Sequence, residues 1–407
     1  MDKRVYAVWL SLVLGTKNNA AAALFARFCD AESIYRCDSY DDVDELRPNV
    51  RKALADKDLS RAESICAECD KKQIGILSYS DSLFPSRLKT ISNPPCLLYY
   101  KGKPIQLDDE CVIGMVGTRA MTDYGRDVTY AFASSFARSG AIVASGLAAG
   151  VDAVAHMGAL DAGGYTVAVL GTPIDKIYPK ENAAIYERIE AHGAIYSEYY
   201  PGCKTTAACF PIRNRLIAGL STALVVSEAG EHSGALITAH NAVMQGKPVF
   251  AIPGKAGGVS TAGTNDMLRK GARMAARPYD VLSLFEFVYP DKIKINRDSY
   301  ILGEAEIPTA AYVTNTLPKK VTAVKAERGK DEASPEKKKK PAVSQTLDYL
   351  TATEQKVFDA IDPELGSTAD AVAASAGIPI VDVLSTLTIL EIYGLVKPVA
   401  GGSYLRM

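Results

Sequence analysis

Apolar residues between positions 111 and 254 fall into short runs that are almost uninterrupted. In chain order, the runs read CVIGMVG, AIVASG, TVAVLG, AIYSEYY, TALVVSEA and KPVFAIPG. Segments with helical spacing of apolar residues lie between them, over 122–139, 150–162, 181–192, 213–220 and 235–245. Runs that are apolar on both faces are typical of parallel strands buried between two helical layers. The alternation therefore predicts a doubly wound α/β domain with a mostly parallel sheet.

The two ends of the chain follow other patterns. Residues 1–72 show apolar positions at helical spacing and predict a domain of short helices, ahead of a core that spans 73–288 and includes the strand CLLYYKG. Residues 289–346 are rich in lysine and proline and predict a flexible linker, in which the Lys337–Lys340 run is solvated charge. Residues 347–407 predict helices followed by a two-stranded wing around Gly401-Gly402, the outline of a winged helix.

Charge restricts where a polyanion could bind. The chain has 46 Lys and Arg against 47 Asp and Glu, so its formal net charge is −1 and any polyanion site must be a local patch. The predicted recognition helix of the winged-helix segment, from Ile380 to Glu391, contains no Lys or Arg. A helix that reads DNA needs cations to neutralise phosphate. We therefore expect this segment to contact protein or to regulate.

Membrane and metal signals are weak. No stretch reaches the roughly 18 uninterrupted apolar residues of a membrane span, and the apolar run from Val5 to Gly15 favours a buried helix over a signal peptide. Of the eight cysteines, only Cys66-x-x-Cys69 is closely spaced. A zinc site completed by Cys29 or Cys37 is one interpretation, and reduced, buried thiols of a cytoplasmic protein are the favoured one.

Candidate binding residues follow the predicted strands, where ligands bind in doubly wound sheets. Gly117-Thr118-Arg119 follow the first run, Ser145-Gly146 follow the second, and Ser233-Gly234 precede the helix after the fifth. Small residues let a backbone approach a ligand closely, and the amides of a helix N-terminus bind phosphate oxygens. These loops therefore predict an anion site.

The segment CFPIRNRLIAGL, residues 209–220, places two arginines around an amide where a helix is predicted to begin. Together with Arg119, the side chains of Arg213 and Arg215 could grip phosphates through forked hydrogen bonds. Phe210 could stack on a base. Structural salt bridging of the arginines is the alternative. We predict an electropositive crevice rim that grips a phosphate-containing ligand.

Catalytic motifs are sparse. The GxxxxGK[ST] phosphate loop is absent, and Gly114-x-x-Gly117 does not match the dinucleotide fingerprint. Glu228 is the best candidate acid or base, although it could equally cap a helix or pair with an arginine. Asp152 and His156 share a helix face, which is more typical of an internal cap or ion pair than of catalysis. We expect no enzymatic activity, no cofactor and no metal.

Longer blocks, taken together and in this order, resemble the DprA/Smf family of DNA-processing proteins. They read VGTRAMTDYG, SGLAAGVDAVAHMGAL, TVAVLGTPIDKIYPKEN, FPIRNRLIAGLS, VVSEAGEHSGALITAHNAVMQGKPVFAIPG and GTNDMLRKGA. The resemblance implies a Rossmann-like core that forms a homodimer, binds single-stranded DNA and loads the RecA recombinase onto it during natural transformation. It also implies a sterile-alpha-motif-like N-terminal domain and a C-terminal winged helix.

The resemblance also implies the DNA-contacting residues. These are Arg119, Ser145, Gly146, Lys180, Lys204, Phe210, Arg213, Asn214, Arg215, Ser233 and Gly234. The chain departs from the family pattern at Pro173, at Ala235 of SGAL and at Lys255 after the proline-glycine of AIPGK. A rival interpretation is a phosphoribohydrolase-like enzyme, but VSEAGEHSGALITA lacks the double glycine of the PGGxGTxxE signature of that group.

Overall fold

The computed structural model describes residues 2–16, 20–41, 43, 46–295, 352–363, 366–392, 395–399 and 403–406. They belong to two compact units, Met1–Pro318 and Lys319–Met407. The Lys337–Lys340 run and Gly401-Gly402 lie outside the described residues, as does the predicted linker from residue 296 onward. No helix in the described ranges is long and apolar enough to cross a membrane.

Among the described residues of the first unit, nine strands form one sheet. They are β1 (Gly75–Ser78), β2 (Leu97–Gly102), β3 (Val112–Val116), β4 (Ile142–Ser145), β5 (Thr166–Leu170), β6 (Ala194–Ser197), β7 (Ala223–Val226), β8 (Val249–Ala251) and β9 (Arg273–Met274). Their order is β1-β2-β6-β5-β4-β3-β7-β8-β9. Within this sheet, the described β1–β2 and β2–β6 pairs are antiparallel and the other described pairs are parallel, so the predicted mostly parallel, Rossmann-like sheet is confirmed.

Helices cover both faces of this sheet, as the two-sided burial of its strands requires. They are α1 (Lys3–Leu14), α2 (Ala20–Arg27), α3 (Ala31–Arg36), α4 (Pro48–Ala55), α5 (Ser60–Lys71), α6 (Ser86–Lys89), α7 (Asp123–Arg138), α8 (Val151–Asp161), α9 (Ala183–His192), α10 (Cys209–Leu220), α11 (Ala235–Met244), α12 (Ala262–Arg269) and α13 (Pro278–Leu282). Phe132 of α7 packs in an apolar cluster with Ile113 of β3, and Leu216 of α10 packs in a different cluster with Leu224 of β7.

Both ends of the described part of the first unit belong to the same packed body. Leu10 of α1 and Ile65 of α5 share an apolar cluster with Tyr99 of β2, so the N-terminal helices are built onto the sheet. At the other end, Ile293 is buried against the α7 side of the sheet, and the amide of Lys294 donates to Ser139. The linker predicted from residue 289 is therefore packed as far as residue 295, because apolar side chains lie among its first lysines.

The second unit is small and has its own core. Its elements are α14 (Ala352–Asp359), β10 (Ser367–Thr368), α15 (Ala369–Ala376), α16 (Ile380–Ile392), β11 (Val396–Val399) and β12 (Ser403–Arg406). The described strands pair in the order β10-β12-β11, and all the pairs are antiparallel. Its apolar core contains Val357 from α14, Val372 from α15 and Leu387 from α16. The predicted winged-helix outline is confirmed.

Helix α10 corrects the interpretation of its two arginines. It begins at Cys209, not near Arg213 as predicted, so Arg213 and Arg215 lie inside the helix. Two residues correspond to about 200° of rotation around a helix axis, so their side chains leave on opposite sides. Arg215 is 9% exposed, and its guanidinium donates to both carboxylate oxygens of Glu198, at 2.7 and 2.8 Å. The prediction that Arg215 lies on the crevice rim is wrong, and structural salt bridging describes this residue.

We predict that the Arg215–Glu198 pair holds α10 against the end of β6. Arg215→Met leaves a buried carboxylate without its partner and should lower the free energy of unfolding by about 3–5 kcal/mol. Replacing both residues, as Arg215→Met with Glu198→Leu, should recover most of this loss. Urea denaturation of the variants measures the effect.

The partly exposed pair of Arg188 and Asp161, at 2.7 Å, is the matched control. Arg188→Met should cost less than about 1 kcal/mol, because solvent screens this pair. Equal losses for the Arg188 and Arg215 variants would contradict the assigned role of the buried pair.

Candidate nucleic-acid interface

A crevice of about 1040 Å³ opens at the carboxyl ends of the parallel strands. It is lined by the loops after β3, β4, β5, β7 and β8 and by the first turns of α10 and α11. The chain continues from β3 to β4 on one side, and later places β7 on the other side of β3. The crevice therefore lies at the topological switch point, where doubly wound sheets bind ligands.

The N-terminus of α11 forms one part of the crevice wall. Ser233, Gly234 and Thr238 line the crevice, and Gly234 is the N-cap residue of the helix. The Gly234 carbonyl accepts a hydrogen bond of 3.4 Å from the side-chain amide of Asn214. First-turn amides and the positive end of a helix dipole attract anions, so this wall is suited to a phosphate. The predicted Ser233-Gly234 loop and Asn214 are brought together here.

Two aromatic rings form a second part of the wall. The ring centroids of Tyr178 and Phe210 lie 5.6 Å apart, and Tyr178 is 45% exposed. The exposed guanidinium of Arg119 lies 5.2 Å from the centroid of Phe210. Phe210 and Arg119 were predicted from the sequence, but Tyr178 was not. The available signal was its position beside Lys180 in the loop that follows β5.

Arg213 lies beneath the crevice instead of on its rim. It is 4% exposed, and its guanidinium donates to the carbonyl of Gly146 at 2.8 Å and to the carbonyl of Val169. Burial lowers its pKa to about 10, which keeps the group charged at neutral pH. Arg213 therefore places a buried guanidinium under the crevice, where it interacts with Asp152 and has little freedom to reach a ligand.

The carboxylates and the histidine near the crevice have structural partners. Asp152 accepts the amides of Gly146 at 3.1 Å and Ala148 at 3.4 Å, and burial raises its pKa. Nδ1 of His156 lies 2.7 Å from the hydroxyl of Thr166, and burial lowers its pKa to about 3, so the ring is neutral at physiological pH. Both side chains therefore have structural partners, although neither caps α8, whose N-cap residue is Gly150.

Glu228 follows its alternative interpretation as a helix-capping residue. Its side chain is fully buried and accepts the amide of Thr122 at 2.9 Å. Thr122 is the N-cap residue of α7, so the carboxylate stabilises the start of that helix.

The other predicted contact residues lie outside the crevice lining. The hydroxyl of buried Ser145 donates to the Met115 carbonyl at 2.6 Å, and Gly146 lies against Arg213. Lys180 and Lys204 are exposed on the loops that flank the aromatic rings, and Lys204 lines a separate depression. The lining thus brings together Arg119, Phe210, Arg213, Asn214, Ser233 and Gly234.

The cysteines show no metal site in the described part of the chain. Cys66 and Cys69 of α5 are buried, and burial raises the pKa of their thiols to about 11 and about 12. Thiols with such pKa values stay protonated at neutral pH. No group of three or more His, Cys, Asp or Glu among the described residues could hold a metal ion.

Family comparison agrees with this architecture. Residues 75–286 match the family described as DNA recombination-mediator protein A, and residues 338–402 match the DprA winged helix domain. Protein Smf of Synechocystis sp. is 33% identical over 360 residues, which cover 88% of this chain and 86% of that protein. The DNA processing protein DprA of Streptococcus pneumoniae is 38% identical over 210 residues, or 52% of this chain and 74% of that protein.

A solved structure extends the comparison to three dimensions. The X-ray structure of DprA from Streptococcus pneumoniae superposes with a TM-score of 0.57 at 28% identity, over 73% of this chain and 99% of that one. The sheet, the winged helix and the sequence matches agree, and this chain belongs to the DprA/Smf family of DNA-processing proteins.

Proposed function

We propose that this protein binds single-stranded DNA without sequence specificity, protects it, and loads the RecA recombinase onto it in the cytoplasm during natural transformation. The observation that carries the proposal is one crevice with an exposed aromatic platform, an exposed arginine and a helix N-terminus. Stacking surfaces combined with backbone neutralisation are how proteins hold unpaired strands.

Each part of the crevice has a role in this binding. Tyr178 and Phe210 stack on bases, whose faces are exposed only in an unpaired strand. Arg119 and the first turn of α11 hold phosphates, and Asn214 orients the Gly234 carbonyl beside them. Lys180 and Lys204 extend the positive charge along the flank. Rings and phosphates are common to every nucleotide, so these contacts favour binding without sequence specificity.

The arrangement supports binding without catalysis. A strand held by phosphates is cut only if a positioned acid, base, nucleophile or metal acts on it. Asp152, His156 and Glu228 are buried, and each has at least one side-chain atom bonded to a backbone or hydroxyl group, which withholds them from a strand in the crevice. In this proposal the crevice therefore delivers an intact strand to the recombinase, as the family description of a recombination mediator suggests.

The proposal includes a homodimer formed through the core. β9 is the last described strand of the sheet, and Met274 on it is 58% exposed. Val243 and Met244 at the end of α11, next to β8 in the chain, are 60% and 71% exposed. An open sheet edge with exposed apolar side chains favours pairing with a second copy of itself.

We predict that the association constant for a dye-labelled oligothymidylate, measured by fluorescence anisotropy, falls as the salt concentration rises. A plot of the logarithm of this constant against the logarithm of the salt concentration should have a slope of about −2 to −3. This slope corresponds to three or four cationic contacts at about 0.7 each for single strands. Arg119→Ala should weaken binding and reduce the magnitude of the slope by about 0.7.

Arg138→Ala is the matched control, because Arg138 is also exposed but ends α7, roughly 24 Å of helix away from its start near the crevice. It should leave the slope unchanged. A flat salt response of the wild type would refute the proposal, as would equally effective competition by duplex DNA.

We predict that the protein shortens the lag before RecA hydrolyses ATP on DNA coated with single-strand-binding protein. Arg119→Ala should lengthen the lag again, because less protein occupies the DNA. Normal DNA binding without any shortening of the lag would reject the RecA part of the proposal.

We predict a homodimer for the wild type in sedimentation velocity, and a monomer for Met274→Glu, because the glutamate places a charge in an apolar contact. Phe287→Glu, at a residue that is 88% exposed and follows α13, is the control and should remain dimeric. A wild type that stays monomeric at all concentrations, or a dimeric Met274→Glu, would reject this interface.

A further inference from the structure

The loop between β8 and α12 forms the end of the crevice that lies farthest from the aromatic rings. Gly257, Gly258 and Val259 of this loop line the crevice. Val259 is 88% exposed although it is apolar, and Lys255 on the same loop is exposed as well. An exposed cation and an exposed apolar side chain thus lie on the same loop of the crevice wall, and none of the contacts described above uses them.

Hydrogen bonds hold this loop in a defined shape. The Asn265 side chain accepts the amide of Gly254 at 3.1 Å and donates to the Gly254 carbonyl at 3.2 Å. The Thr261 hydroxyl donates to the carbonyl of Lys255 at 2.9 Å. Gly257 has a φ of 73°, which a glycine adopts without strain. The exposure of Val259 is therefore a feature of a built loop.

We propose that Lys255 and Val259 form a second contact for the bound strand, at the opposite end of the crevice from Tyr178 and Phe210. Lys255 neutralises a phosphate, and Val259 packs on the apolar face of a base or sugar. The inference rests on the proposed single-strand binding and deepens it, because it gives the strand a path across the sheet.

The sheet order sets the length of this path. The aromatic loop follows β5 and the Lys255 loop follows β8, and β4, β3 and β7 lie between them. Four steps of about 4.8 Å between neighbouring strands separate the two ends by about 19 Å. The N-terminus of α11, which follows β7, lies along the way. At about 3.4 Å per stacked nucleotide, the path holds about six nucleotides.

The test measures affinity against strand length, with full-length protein and oligothymidylates of three to twelve nucleotides. Wild-type affinity should rise with length until about six nucleotides occupy the path and then level off. The double variant Lys255→Ala with Val259→Ser should bind strands of six or more nucleotides roughly tenfold more weakly, because it loses a phosphate and an apolar contact. For the three-nucleotide strand, which occupies the aromatic end, the loss should be under about twofold.

The matched control is Lys103→Ala with Val288→Ser. Val288 is 62% exposed outside the crevice, and Lys103 is exposed after β2, at the opposite end of the parallel strands. This variant should follow the wild-type length series. Lys255→Glu, a change at an exposed side chain, should give a larger length-dependent loss than the double variant if the loop contacts phosphate.

The two proposals fail in different ways. A wild type that binds no oligothymidylate rejects single-strand binding itself. A second result would overturn only the second contact. In that result the wild type binds and Arg119→Ala weakens binding at every length, but neither Lys255→Glu nor the double variant has an effect at any length. An equal loss at all lengths, down to three nucleotides, also overturns it, because the effect would not be confined to one end of the path.

Discussion

The rest of the site depends on the hydrogen bonds that two buried arginines of α10, Arg213 and Arg215, donate to the neighbouring strand ends. A buried guanidinium is costly unless it is paired, so each arginine fixes the helix to the groups that it binds. Arg213 binds carbonyls at the ends of β4 and β5, and Arg215 binds Glu198 after β6. Helix α10 is thereby tied across three neighbouring strand ends, in a single orientation.

That orientation decides where the binding groups lie. Phe210, in the first turn of α10, packs against Gly171, where an added Cβ would approach its ring to 2.8 Å. The missing side chain at Gly171 lets Phe210 settle beside Tyr178 instead of being pushed away from it. Asn214 then reaches the start of α11. The aromatic rings and the start of α11 thus face one crevice because one helix is held from both sides.

The electrostatics of the molecule are local. With a net charge of −1, the chain as a whole does not attract a polyanion. The positive features gather at the carboxyl edge of the sheet: exposed Arg119, buried Arg213 and the start of α11. The described part of α16, in contrast, places exposed Ile380 and Leu384 where a DNA-reading helix would need cations. In the proposed function, the core is therefore the unit that binds the strand.

Patterns along the chain were sufficient to predict the sheet, the winged helix and the position of the crevice. Parallel strands that are buried on both faces appear as continuous apolar runs in the sequence. The loops at their carboxyl ends meet at one edge of the sheet, independently of where the connecting helices begin and end. The positions of Arg119 and Ser233 after two such strands therefore predict that they belong to one site. Phe210 and Asn214 could be assigned because their short segment leads into a helix.

Only the tertiary structure decided which charges face the crevice. The start of α10 at Cys209 turned Arg215 into the interior, and helix boundaries depend on packing that a local pattern does not contain. Tyr178 joined the site because its loop meets Phe210 from a distant part of the chain. Glu228 became a helix cap because β7 ends beside α7. A pattern reports which residues share a face of one element, whereas contacts between elements exist only once the sheet has assembled.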